Sequence, residues 1–181
     1  MPPNRRRQKA QVSHMSDEPQ PQMQAQAQPA HTRRKGESNE ERRLINQRVA
    51  DEFRANGGKV GGRYEGAPLL LLTTVGAKTG EERIAPLGYT VDSDRYVVIA
   101  ARGGAPINPD WYFNLVAQPL VKVEVGTETF TARATVTSGE ERQRLWSERA
   151  VPGSRLDSYT TKTTREIPVI LLERVAPANA E

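Results

Sequence analysis

The chain has 181 residues, room for one domain and a tail, with a net charge of +4, no cysteine and only two histidines. The missing thiols exclude a disulfide framework and thiol chemistry, and His14 and His31 both fall in the N-terminal tail, which excludes Ser-His-Asp catalysis and the commonest zinc and haem ligand sets from the rest. No apolar run reaches the roughly 18 residues of a membrane span and no signal-peptide core opens the chain, so the expected location is cytoplasmic.

Residues 1–37 read as a disordered tail. The run "PQPQMQAQAQP" has no apolar periodicity and cannot build a core. Seven basic residues (Arg5, Arg6, Arg7, Lys9, Arg33, Arg34, Lys35) stand there against Asp17, Glu18 and Glu37, while residues 38–181 hold nineteen basic and nineteen acidic groups. The positive charge therefore belongs to the tail. It suits at most peripheral, salt-sensitive contact with anionic lipid or phosphate, and no specific nucleic-acid partner is expected. Met15 offers an alternative start. A single domain over 38–175 and a short C-terminal tail over 176–181 complete the expected organisation.

"SNEERRLINQRVADEFRANGG" predicts a helix: Ser38 and Glu41 have capping-box spacing, Leu44, Ile45, Val49 and Phe53 share a face, and Gly57 ends it. After the connector "GGKVGGRYEG" come three strands, "APLLLLTTV", "IAPLGYTV" and "RYVVIAA", the last two joined by a tight turn at "DSD". "NPDWYFNLVAQP" reads as a short helix with Asn108 or Asp110 near its cap and Pro119 closing it. "LVKVEV" and "TETFTARATVT" form a hairpin around "GT" with one wet face. "SGEERQRLWSERAV" repeats the capping-box spacing at Ser138 and Glu141, Trp146 reads as core, and "IPVILLERV" is the final strand. About six mostly antiparallel strands with two or three flanking helices predict an α+β fold built on a small β-barrel rather than a doubly wound sheet.

Two loops follow buried strands and carry cations beside glycines: "GAKTGEER" with Lys78 and Arg83, and "ARGG" with Arg102. The first is no phosphate loop of the Walker type, because the required upstream glycine is missing and a strand, not a helix, follows. Converging cations and glycines can nevertheless seat an anion, or can simply be solvated. Trp111 and Tyr112 can flank a planar ring or pack in the core. Glu81 and Glu82 read as solvated turn carboxylates.

Together, "LLLTTVGAKTGEERIAPLGY", "YVVIAARGGAPINPDWYFNL", "VEVGTETFTARA" and "REIPVILLE" resemble the deazaflavin (F420)-dependent nitroreductase family over about residues 40–173. That resemblance implies an FMN-binding-like split β-barrel binding coenzyme F420. It implies cofactor contacts at Lys78, Thr79, Arg83, Pro86, Ile99, Ala100, Ala101, Arg102, Trp111, Tyr112 and Asn114, and no metal. The implied activity is hydride transfer from reduced deazaflavin to a quinone-like or other conjugated acceptor, with the protein a monomer or homodimer. Ala77 stands where relatives commonly have arginine. A tyrosine of the nitroimidazole-reducing members falls at about Leu156, so activity on such drugs is not implied. Tyr159, one helical turn on, is the candidate for acceptor positioning or proton donation, or else a packing residue. An FMN-binding barrel protein and a non-catalytic carrier of an anionic ligand are the alternatives.

Overall fold

Leu69–Leu72 is buried on both faces of its strand, and this sets the architecture. The computed structural model describes residues 38–176. The tail expected over 1–37 and residues 177–181 lie outside the described residues. The described residues form the helices α1 (Asn39–Ala55), α2 (Asp110–Ala117), α3 (Gly139–Arg149) and α4 (Arg155–Thr160). They also form the strands β1 (Leu69–Val75), β2 (Glu82–Gly88), β3 (Thr90–Asp92), β4 (Arg95–Ile99), β5 (Leu120–Val125), β6 (Glu128–Val136) and β7 (Val169–Arg174).

The strands make one sheet in the order β2-β1-β5-β6-β7-β4-β3, with every pairing antiparallel. Its two edge strands, β2 and β3, are consecutive in the chain and separated by Tyr89 alone. Edges tied through one residue cannot lie apart, so the sheet curls into a split barrel. "IAPLGYTV" is therefore two strands rather than one, and the sheet has seven strands where six were expected. Gly88 pairs with Leu69 at one edge and Thr90 with Val97 at the other, and a residue without a side chain suits such a corner. Tyr89 packs edge-on against Tyr96 at 5.3 Å, and Tyr96 stacks on Phe130 at 5.6 Å, which joins the corner to β4 and β6.

Alternation sorts the core into an inside and two outsides. Leu70, Leu72, Val98, Val123, Ala132, Ile170 and Leu172 fill the barrel, with Leu115 of α2 among them. Leu69 and Leu71 face outward beneath Ala50 and Phe53 of α1. Val97, Ile99, Val169 and Leu171 face outward beneath Leu145 of α3 and Leu156 and Tyr159 of α4.

The α1 capping box forms: Glu41 N donates to Ser38 Oγ (3.1 Å) and Ser38 N to Glu41 Oε2 (2.7 Å). The inward face differs from the expected one, because Leu44 is 52% exposed while Arg42 and Asn46 are half-buried beside Val49, Ala50 and Phe53. At Gly58 (φ 92°) an added Cβ would lie 2.5 Å from Gly126 Cα, a backbone approach that presses the end of α1 onto the β5–β6 turn. Ser138 begins α3 without a side-chain cap, since Glu141 is drawn to Arg95 instead (2.9 Å).

A fork of two hydrogen bonds fixes α1 laterally: Arg54 Nε and Nη2 donate to the buried Glu124 carboxylate at 2.8 and 2.6 Å. This pairing holds the Glu124 carboxyl below the ordinary carboxylate value. A depressed folded-state value contributes stability above the unfolded value, and that contribution fades as pH falls through the folded one. Glu124→Gln should lower the urea-unfolding free energy at pH 7 by about 1.5–3 kcal/mol, the range for a bond to a charged group. Repeating the melts below pH 4 should show the gap between wild type and variant closing.

Candidate functional site

One cleft of about 1830 Å³ runs along β2, whose Arg83, Ala85, Leu87 and Gly88 line it in succession. Around it stand α1, the β1–β2 loop, the loop after β4, the start of α2 and the segment from Arg149 to Tyr159.

The β1–β2 loop closes on itself: Gly76 N donates to Glu81 O and Gly80 N to Gly76 O, each at 2.8 Å. A Cβ at Gly76 would sit 2.6 Å from Thr79 Oγ1, so the close turn needs glycine there. The buried Asn114 of α2 clamps the loop, accepting from Ala77 N at 3.0 Å and donating to Thr74 Oγ1 at 3.1 Å. Lys78 projects at the tip with no partner among the described residues. Arg83 ion-pairs with Glu81, whose carboxyl it holds below the ordinary value, so Glu81 is not merely solvated and a ligand anion must compete with it.

The loop after β4 is strained and braced. Arg102, Gly103 and Gly104 are left-handed in succession (φ 47°, 66° and 82°), and a non-glycine there costs about 1–2 kcal/mol. Arg102 Nη1 donates to Asn108 O at 2.7 Å and faces Asp110 at 3.5 Å. Arg165 holds the same loop with four bonds: to Ala105 O (2.9 Å), Asn108 Oδ1 (2.6 Å), Ala100 O (3.0 Å) and Ala101 O (2.9 Å). Burial, with Arg102 close by, pushes the Arg165 guanidinium below its ordinary value. At Gly104 an added Cβ would meet Lys162 Cβ at 3.0 Å and Tyr159 Cα at 3.4 Å, so this glycine lets the loop touch α4.

Nine of the twelve residues singled out from sequence line this cleft: Lys78, Thr79, Arg83, Ile99, Ala101, Arg102, Trp111, Asn114 and Tyr159. Three do not. Ala100 points into the barrel, opposite to Ile99 and Ala101, and its carbonyl accepts from Arg165. Tyr112 packs on the barrel core and against Phe113 (5.6 Å), and buried Pro86 lies outside the lining. Tyr159 is 5% exposed, its hydroxyl has no hydrogen-bond partner among the described residues, and burial raises it above the ordinary phenol value.

A family model described as F420H(2)-dependent quinone reductase matches residues 45–174. The chain belongs to that family. An F420H(2)-dependent quinone reductase of Mycobacterium tuberculosis is 40% identical over 126 residues, covering 67% of this chain and 85% of its own length. A solved F420-H2 dependent reductase (FDR-A) is 38% identical with a TM-score of 0.53, covering 59% of this chain and 94% of that one. A solved domain-swapped dimer is 33% identical with a TM-score of 0.55, covering 75% of this chain and all (100%) of that one. The chain is thus an F420-dependent reductase, as its motifs implied, and the family is named for quinones.

In this quinone reductase family member four site residues escaped the sequence reading: Arg42, Asn46, Arg149 and Arg165. The first three share one signal, a polar residue at an apolar-periodic position of a helix, as in Leu145 followed four places on by Arg149. Arg165 had none, since its partners are carbonyls about sixty positions away.

Gly104→Ala tests the loop–helix approach. It should cost about 1–3 kcal/mol in urea unfolding, from left-handed strain together with the contact to α4. A neutral result would mean that the loop and α4 part without cost.

Proposed function

We propose that the chain passes a hydride from reduced coenzyme F420 to a quinone-like acceptor bound in the same cleft. The observation carrying this reading is the donor set at the Arg83 end of β2. Arg42, Arg43, Lys78 and Arg83 line the cleft there, and one buried donor atom among them, Arg42 Nη2, has no hydrogen-bond partner among the described residues. An unpaired buried guanidinium nitrogen costs about 1–3 kcal/mol unless a ligand satisfies it, and a phosphate or carboxylate is the ligand that fits. The residues present therefore suit a polyanionic cofactor tail.

Bound there, the deazaflavin supplies the two-electron reductant, and the protein's part is to hold, orient and protonate. Lys78 grips negative charge, and Arg42 and Arg83 join it by exchanging Asp110 and Glu81 for the ligand. The Asn114 clamp keeps Ala77 N and Lys78 at a fixed distance from Trp111, whose half-buried ring offers a flat wall with Ile99 and Ala101. Tyr159, neutral at pH 7, donates its phenolic proton to the acceptor oxygen and regains one from water. The acceptor so gains one hydride and one proton, and the quinone becomes a hydroquinone. Buried Leu156 gives the acceptor end apolar surface without a hydroxyl, so the reading covers the quinone reductase side of the deazaflavin-dependent nitroreductases and not nitroimidazole reduction.

Titrating the full chain with coenzyme F420 and separately with flavin mononucleotide, by fluorescence, tests the reading. The deazaflavin should bind, and Lys78→Ala and Arg42→Ala should each weaken it at least tenfold, about 1.4 kcal/mol. Retention of flavin mononucleotide with indifference to the deazaflavin would overturn it. Tyr159→Phe should lower kcat for menadione about 100-fold with cofactor affinity unchanged, within the usual range for a proton donor.

A further inference from the structure

Arg149 ends α3 with its side chain on the cleft, and it is 9% exposed. It has no carboxylate partner among the described residues, and its one hydrogen bond runs to Thr90 Oγ1. Other half-buried arginines of the domain are spoken for: Arg42 and Arg102 by Asp110, Arg83 by Glu81, Arg95 by Asp92 and Arg165 by four oxygens. A buried cation without a counter-ion is expensive, and burial pushes this guanidinium down to about 10. Folding tolerates the cost where a ligand anion repays it.

The position says which ligand. Arg83 is the second residue of β2 and Gly88 its last, five residues apart, which a strand spans in about 17 Å. Thr90, the anchor of Arg149, lies two residues past Gly88. The cleft thus has cations at both ends of β2: the cluster around Arg83, Lys78 and Arg42, and Arg149 at the far end. Beside Arg149 the lining offers the apolar Val151, Pro152 and Leu156, together with Ser154, Arg155 and Tyr159.

We propose that Arg149 is an oxyanion-recognising subsite for the electron acceptor, selecting flat quinone-like molecules that carry an ionised oxygen. This rests on the cleft being the reductase site proposed above. The guanidinium meets the ionised oxygen with charge-assisted hydrogen bonds, while Leu156 and Val151 cover the ring and Tyr159 faces a carbonyl. A neutral quinone fills the same apolar space and leaves the cation unanswered.

Calorimetric titration of the full chain, without cofactor, with 2-hydroxy-1,4-naphthoquinone at a pH where it is ionised, and with menadione, tests this directly. Wild type should bind the ionised quinone at least tenfold more tightly. Arg149→Met should bring the two within about twofold by weakening only the ionised ligand, with Arg149→Lys between them. Equal wild-type affinities, or an undiminished preference in Arg149→Met, would sink the subsite; if Arg149→Met fails to fold, the wild-type pair and Arg149→Lys decide. Turnover assays with reduced F420 separate the two readings. A binding preference without any turnover removes the reductase assignment and leaves the subsite, and turnover without preference does the reverse.

Discussion

A single residue, Tyr89, holds together the two edges of the sheet. Because β2 and β3 are consecutive yet belong to opposite edges, the seven strands have no flat solution, and curling follows from connectivity alone. Curling gives each strand an inside and an outside. Ala100 is then consigned to the barrel while its neighbours Ile99 and Ala101 face the cleft and α4. The same constraint bends β2 along the cleft, so that one strand presents residues from Arg83 to Gly88 to whatever binds there.

The walls of the cleft are fixed from outside it. On one side α1 is pinned by Arg54 to Glu124, by Asn46 Nδ2 donating to Ile84 O (2.9 Å), and by the backbone approach of Gly58 to Gly126. On the other, three left-handed residues after β4 are held by the bonds of Arg165 to the loop carbonyls and of Arg102, itself one of the three, to Asn108 O. Strain held by Arg165 from outside the cleft lining, and by Arg102 within it, is the pattern of a preorganised loop. The cost of the loop's shape is met during folding rather than on binding.

Local chemistry was legible in the sequence, and pairing over distance was not. The α1 capping box, the turns at Asp92–Arg95 and Val125–Glu128 and the close turn at Gly76 each depend on neighbours within six residues. The break at Gly88–Tyr89 was invisible because alternation continues across it, and only the partners of each half show that they part. Ser138 has a sound capping box by spacing, but Arg95, forty-three positions away, attracts Glu141 more strongly. In α1 the apolar count favoured Leu44, while the helix turns Arg42 and Asn46 inward because a cleft rather than a core lies beneath them. Most of the site residues came from motif resemblance, and the three polar residues on helix faces were lost by treating every stripe as core.

A helix stripe interrupted by arginine is unfavourable as core packing, since burying a guanidinium without a partner costs more than a methylene stripe returns. Arg149, whose one hydrogen bond among the described residues runs to Thr90, is therefore tolerated only if something absent from the free protein answers it, whereas Arg42 has Asp110 at 3.6 Å and leaves Nη2 unbonded among the described residues. They stand at different ends of β2, one among Lys78 and Arg83, the other among Val151, Leu156 and Tyr159. A domain whose described residues include neither imidazole nor thiol has few ways to place charge near a reacting centre. A half-buried Arg42 at one end and a buried Arg149 at the other, with a neutral phenol beside the second, divide the cleft into a part that holds by charge and a part that selects by it.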